Sequence, residues 1–194
     1  MNPLKSILGT IVAGFIISIV IAIWDSTPVA SAGWSISVWL HVLAGVVWIG
    51  LLYYFNFVQV PAVATATADT DGPGPAAISK YVAPRALAWF RYGALVTWIT
   101  GAAALEYVGG FSANMFFTNG VTVIGIGAWL GTIMLFNVWV LIWPNQKKLL
   151  GMVEATDAEK AKAKGVAFMA SRTNTMLSIP MLMCMIGHAH TLPF

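Results

Sequence analysis

The chain alternates between long, uninterrupted apolar runs and short stretches where polar, charged and turn-forming residues collect. Apolar runs long enough to cross roughly 30 Å of hydrocarbon fall at about 7–24, 34–57, 88–108, 121–143 and 173–191. The pattern predicts an all-α integral membrane protein with about five transmembrane helices: a four-helix bundle made by helices 2–5, preceded by an N-terminal helix, in a single membrane domain. Between the runs, Ala68–Pro75 gathers two prolines, two glycines and two aspartates and reads as a turn. Gly151–Lys164 alternates acids with lysines and predicts a surface helix. Neither stretch has the make-up of a separate domain.

Composition agrees with this reading. Of the 194 residues, 59% are hydrophobic and only 9% charged, too apolar for a soluble surface of that size. A net charge of +3 does not point to nucleic acid, because the basic residues are spread between apolar spans instead of forming one basic face. Lys5, the run Ile7–Trp24 and Ala30-Ser31-Ala32 imitate a secretory signal with its cleavage site. The run is longer than a signal core, so a retained first helix is expected.

The distribution of charge sets the expected orientation. Lys5 precedes the first run; Lys80, Arg85 and Arg91 lie between or at the edges of the second and third; Lys147, Lys148, Lys160, Lys162, Lys164 and Arg172 separate the fourth and fifth. The loops at 25–33 and 109–120 contain no Lys or Arg. All basic residues thus fall on one side, which predicts a cytoplasmic N-terminus and a periplasmic C-terminus in a bacterial inner membrane. Trp24, Trp34, Trp39, Trp89 and Trp143 lie near span ends, where an indole buries its ring and keeps its N–H near water.

Candidate chemistry centres on the three histidines. His41 sits about two turns inside the outer end of the second run, and His188 and His190 lie near the outer end of the fifth. All three are therefore expected on the same side of the bilayer, where an intramembrane ionisable group is a functional candidate. Opposed helices carrying histidines at similar depth can hold a haem through two axial imidazoles, with Gly45, one turn from His41, leaving room for the macrocycle. His41 with His188 is the preferred iron-binding pair and His190 the alternative, since residues two apart on a helix point in roughly opposite directions. Met181, Met183 and Met185 offer thioethers for haem or copper, but their spacing scatters them around the helix and favours packing.

The remaining features have plainer readings. Cys184, the single cysteine, cannot form an internal disulfide or a covalent haem attachment and reads as a packing residue. Gly125-Ile126-Gly127-Ala128-Trp129-Leu130-Gly131 follows no strand, so Gly127 and Gly131 suggest close helix approach instead of a nucleotide loop. Pro180 predicts a kink, and Asn174, Thr175 and Ser178 predict polar contacts between helices or a wet cavity. Glu106 and Asp25 are membrane-edge carboxylates that could accept a proton or bind a basic partner. No Ser-His-acid order, carboxylate pair or phosphate-binding loop stands out.

Three segments carry a family resemblance: HVLAGVVWIGLLYYFNFVQVPA (41–62), NVWVLIWPNQKKLLG (137–151) and RTNTMLSIPMLMCMIGHAH (172–190). Together they resemble the membrane domain of bacterial cytochrome c-linked urate oxidases, also called urate hydroxylases. The first is also similar to the His-bearing helix of the protoporphyrinogen oxidase family of small haem-binding membrane proteins. Urate oxidases of this kind carry a C-terminal cytochrome c domain, whereas this chain has no CxxCH. The resemblance therefore implies a separate periplasmic cytochrome c or respiratory-complex subunits as partners, besides the lipid bilayer. The expected function is a haem b-binding electron-transfer module; the alternatives are an enzyme oxidising urate or another small molecule, and a cofactor-free accessory subunit of a respiratory membrane complex.

Overall fold

The computed structural model describes residues 2–24, 32–120 and 122–192. Asp25 and the Ala30-Ser31 pair lie outside the described residues. The chain divides into two units, Met1–Ala32 and Gly33–Phe194, and among the described residues there is no strand.

In the first unit a 3₁₀ turn, Pro3–Lys5, leads into helix α1 (Ile7–Trp24). The Asn2 side chain accepts the N–H of Leu4 at 2.9 Å and so caps the turn. Helix α1 buries no residue and is apolar on every face. Its few hydroxyls return to the backbone, as when Ser18 donates to the Gly14 carbonyl at 3.0 Å. That is how a polar group is satisfied where no water is at hand.

The second unit contains α2 (Ala32–Tyr54), α3 (Val60–Ala68), α4 (Ala83–Glu106), α5 (Phe111–Met115), α6 (Val123–Phe136), α7 (Trp143–Leu149) and α8 (Asp157–His190). Three π-helical segments join or precede these helices, at Phe55–Gln59, Ile78–Val82 and Asn137–Ile142. Each is followed at once by a proline in the first turn of the next helix: Pro61, Pro84 and Pro144. Proline has no N–H to donate and its ring collides with the carbonyl one turn back, so the chain widens by a residue ahead of it instead of breaking. Thus α2 and α3 run as one apolar rod, Ala32–Ala68, and α6 and α7 as another, Val123–Leu149.

Those two rods and α1 are long and apolar enough to cross a membrane. Helices α4 and α8 have the length but carry more polar sequence. Helix α4 holds Arg85 and Arg91 in its first turns. Helix α8 merges the expected surface helix with the expected fifth span: its 34 residues measure roughly 51 Å along the axis, well beyond one bilayer core. Thr156 and Glu159 start it with a reciprocal cap, and Pro180 lies inside it without interrupting it.

One core joins the long helices. Trp48 and Leu52 of α2 meet Phe90 and Ala94 of α4, Met134 of α6 and Met181 of α8. Phe55 and Phe90 meet edge to face with centroids 5.5 Å apart. Small residues and interhelical hydrogen bonds help to fix the helix positions. A Cβ on Gly127 would stand 2.9 Å from the Cβ of Cys184, so α6 and α8 approach closely there, whereas nothing crowds Gly131.

Candidate functional site

The small residues of α4 also shape the surroundings of His41. Gly93, Thr97 and Gly101 recur every four residues and face α2. A Cβ on Gly93 would lie 3.4 Å from the backbone nitrogen of Trp48, and one on Gly101 only 2.8 Å from both Cε1 and Nδ1 of His41. Glycine at 101 therefore creates the space the imidazole occupies. Gly45 packs toward the same helix: its Cβ position is 3.7 Å from the Thr97 methyl, an ordinary contact distance.

Half-buried, His41 places Nδ1 2.7 Å from the Thr97 carbonyl oxygen. A carbonyl only accepts, so Nδ1 carries the proton and donates it. In the neutral ring this selects the tautomer with its lone pair on Nε2. Among the described residues no protein group bonds Nε2. A ring held through Nδ1–H to a backbone carbonyl, with Nε2 free, is the arrangement a metal-ligating histidine adopts.

The other two histidines stand exposed in the last turn of α8. Their depth follows from the α2–α8 contacts. Tyr53 and Ser178 pair through their hydroxyls at 2.9 Å, and the Asn56 amide donates to Ser171 Oγ at 2.8 Å, so the helices run antiparallel. His41 precedes Tyr53, and His190 follows Ser178, by the same number of residues. Each lies roughly 18 Å from that shared contact, toward the same end. The described residues contain no group of three or more His, Cys, Asp or Glu able to hold a metal ion. A haem iron asks less of the protein, since the macrocycle supplies four ligands and the chain only the axial ones.

Nearer the opposite end, the polar side chains are consumed by one another. Asn137 donates to Asn174 Oδ1 at 2.8 Å, Asn174 donates to the Met134 carbonyl at 3.0 Å, and Ser178 donates to the Thr175 carbonyl at 2.7 Å. Asn174 and Ser178 are fully buried. This row makes contacts between helices, as Asn174 and Ser178 suggest from sequence. Met181 and Cys184 are buried, Met183 and Met185 half-buried, and Glu106 ends α4 exposed.

Thr97, Gly101, Asn56 and Asn137 are site or core residues that the histidine and glycine motifs do not reveal. A repeat signals the two asparagines. Trp48-Ile49-Gly50, with Phe55-Asn56, recurs 81 residues later as Trp129-Leu130-Gly131, with Phe136-Asn137. The same interval separates Arg91 from Arg172 and Thr97 from Ser178. The α2–α4 pair is thus echoed by α6–α8, but Thr122 and Leu182 stand where the first pair has His41 and Gly101.

Compared with known families, residues 103–194 match the sequence model described as urate oxidase N-terminal. The matched stretch holds His188, His190 and the Asn137–Asn174 pair; His41 and Thr97 precede it. Over that stretch the chain is similar to a urate oxidase N-terminal domain. No curated protein and no solved structure matches the chain.

Proposed function

We propose that this protein is a membrane-embedded redox module, akin to the membrane domain of cytochrome c-linked urate oxidases, that binds haem b through His41 and one of His188 and His190. The observation that carries the reading is the His41 imidazole, fixed through Nδ1 to the Thr97 carbonyl with Nε2 left without a protein partner. Equal helical rise from the Tyr53–Ser178 contact supports a second ligand from the end of α8. The residues fit the group: a neutral, oriented imidazole is what an axial position requires, and the exposed histidines are free to turn toward an iron.

In this reading five spans cross the bilayer: α1, the α2–α3 rod, α4, the α6–α7 rod and α8. The N-terminus is cytoplasmic, and the histidines and C-terminus lie at the periplasmic face of a bacterial inner membrane, as the placement of Lys and Arg supports. Bound haem would supply one-electron exchange with a periplasmic cytochrome c or a respiratory subunit. The chain's own task is to orient the ligating imidazoles and keep the surroundings dry.

A second reading draws support from the family match: the protein itself oxidises urate or another small reductant at that face. Both are tested on detergent-purified protein by a reduced-minus-oxidised visible spectrum with a pyridine haemochrome assay. A b-type signal is expected, and its absence from intact protein overturns the haem reading. Reduction of that haem by urate alone would favour the enzyme; reduction only through a cytochrome partner would favour the relay.

A further inference from the structure

Away from the histidines, the opposite end of α4 carries an arginine, without an ion-pair partner among the described residues, set in an aromatic frame. The Arg91 guanidinium carbon lies 3.8 Å from the centroid of Trp143 and 4.9 Å from that of Tyr92. Lys147 places its ammonium 5.9 Å from the same Trp143 ring. Stacking uses the flat face of a guanidinium and leaves its five N–H donors, all in the plane, available at the edge. Among the described residues the acids that form ion pairs are Glu159 with Lys148 and Asp157 with Lys160; neither pairs with Arg91 or Lys147. The only acid of α4, Glu106, lies at its far end, roughly 22 Å away, and α7 has none.

An apolar groove continues from this basic head. It is lined by Leu95 and Trp98 of α4, by Thr132, Leu135 and Phe136 of α6, and by Trp139. Arg91, Leu95 and Trp98 share one face of α4, while Trp143, Trp139, Phe136 and Thr132 recur every three or four residues on the facing rod. Tyr92 and Trp139, with ring centroids 5.9 Å apart, join the head to the groove. The Trp98 indole N–H is already spent on the Thr132 hydroxyl at 2.9 Å, whereas the buried Trp139 indole N–H has no hydrogen-bond partner among the described residues. A cationic head, an aromatic collar and an apolar trough about 10 Å long match a molecule with an anionic head and a hydrocarbon tail.

We propose that the α4–α6 groove is a binding site for an anionic phospholipid, with its phosphate on Arg91 and Lys147 and one acyl chain along Leu95, Trp98, Phe136 and Trp139. Charge complementarity selects the head, and position selects the source. Arg91 and Lys147 belong to the basic set that marks the cytoplasmic face, where anionic lipids attract juxtamembrane cations. The exposed side chains beside the site, Trp89, Tyr92, Val96 and Val140, are apolar, as a lipid-facing surface must be. The site depends on the chain being embedded in a bilayer, but not on the haem.

The test uses the full-length protein in detergent, confirmed to come from the membrane fraction, and titrated with phosphatidylglycerol, phosphatidylcholine or inorganic phosphate. Native mass spectrometry counts retained lipid, and the thermal unfolding midpoint reports its effect. Phosphatidylglycerol should be retained at one per chain and raise the midpoint, with phosphatidylcholine at least tenfold weaker. Arg91→Gln with Lys147→Gln should remove that preference, while Arg172→Gln, stacked instead on Phe168, should retain it. Equal retention of both lipids, or a preference unchanged by the double substitution, overturns the proposal. Full competition by inorganic phosphate at millimolar concentration also overturns it, by showing a free-phosphate site. Leu95→Trp, which fills the trough and leaves the charges in place, should weaken phosphatidylglycerol but not phosphate.

Discussion

The α2–α4 and α6–α8 helix pairs are built on one sequence frame yet differ in whether a polar group is left with bonding capacity to spare. In α6–α8 the buried Asn137 amide bonds Asn174, and the fully buried Asn174 amide bonds a backbone carbonyl. In α2–α4 the Asn56 amide is likewise spent, on the Leu52 carbonyl and Ser171 Oγ, but the frame also carries an imidazole with one nitrogen bonded and the other left over. A buried polar group with every bond made fixes helix positions; one with a lone pair in reserve can bind something further. Three positions set the difference: Thr122 and Leu182 stand where the first pair has His41 and Gly101, and Gly93 stands where the second pair has Asn174. Thr122 spends its hydroxyl as the N-cap of α6, accepting the Gly125 N–H, and so is closed off in the same way as the asparagines.

Removing the reserve lone pair should have the largest effect. His41→Ala is expected to abolish haem retention in purified protein while leaving helicity and expression intact; retention of the full b-type spectrum would place the iron elsewhere. His188→Ala and His190→Ala should divide, one losing haem and the other keeping it. Next in size is Gly101→Val, which leaves His41 in the chain but fills the space of its ring. With the Thr97 bond disrupted, haem affinity should fall about 10–100-fold, the usual range for losing a partner that orients a ligating imidazole. The residual spectrum should shift, which a merely structural role for Gly101 would not produce.

The asparagine pair offers the converse test. Asn174→Leu strands the Asn137 amide in an apolar interior and should cost about 1–2 kcal/mol: a stranded amide costs more in water-soluble cores, but in lipid the unfolded chain also finds partners. Thermal unfolding of the apoprotein should show the drop, without a change in haem affinity per folded molecule. Asn137→Leu combined with Asn174→Leu should cost less than the two single changes added, because no amide is left unpaired. Simple additivity would mean that the pair is not coupled.

How much of this was legible in the sequence depends on whether a feature is periodic or relational. The span Ile7–Trp24 and the turn after Ala68 follow from runs of composition, and the structure has α1 and the end of α3 at those places. The merging of the surface segment with the fifth span was not legible, because the charges of 157–164 mark exposure to water but do not end a helix. Nor were the π-helical segments: Pro61, Pro84 and Pro144 announce a disturbance, and only packing decides between a break and a widened turn. His41 was legible as an isolated imidazole in an apolar run. Its partner was not, since the Thr97 carbonyl is a backbone atom that no side-chain pattern reports, and Gly101 acts by what it lacks. The recurrence of Trp-x-Gly and Phe-Asn would have pointed to Asn56 and Asn137 as one structural class.

The smallest effect is expected where water screens the charges. Glu159 accepts the Thr156 N–H at 2.8 Å and the Thr156 hydroxyl at 3.0 Å, and lies 4.0 Å from Lys148. These contacts, the backbone bond foremost, hold its carboxyl below its ordinary value of 4.5. A depressed carboxylate value means that the folded state prefers the ionised form. The cap therefore contributes above pH 4.5, where the free side chain is also ionised, and its contribution fades as pH falls through the lower folded value. Because the group is exposed, the loss should stay within the first turn of α8 and leave the helix-packing core untouched. NMR titration of the Glu159 side chain should give a midpoint below 4.5, and Thr156→Ala should move it only part of the way back, since the backbone N–H remains. A midpoint at or above 4.5 would mean that the capping box does not persist in solution.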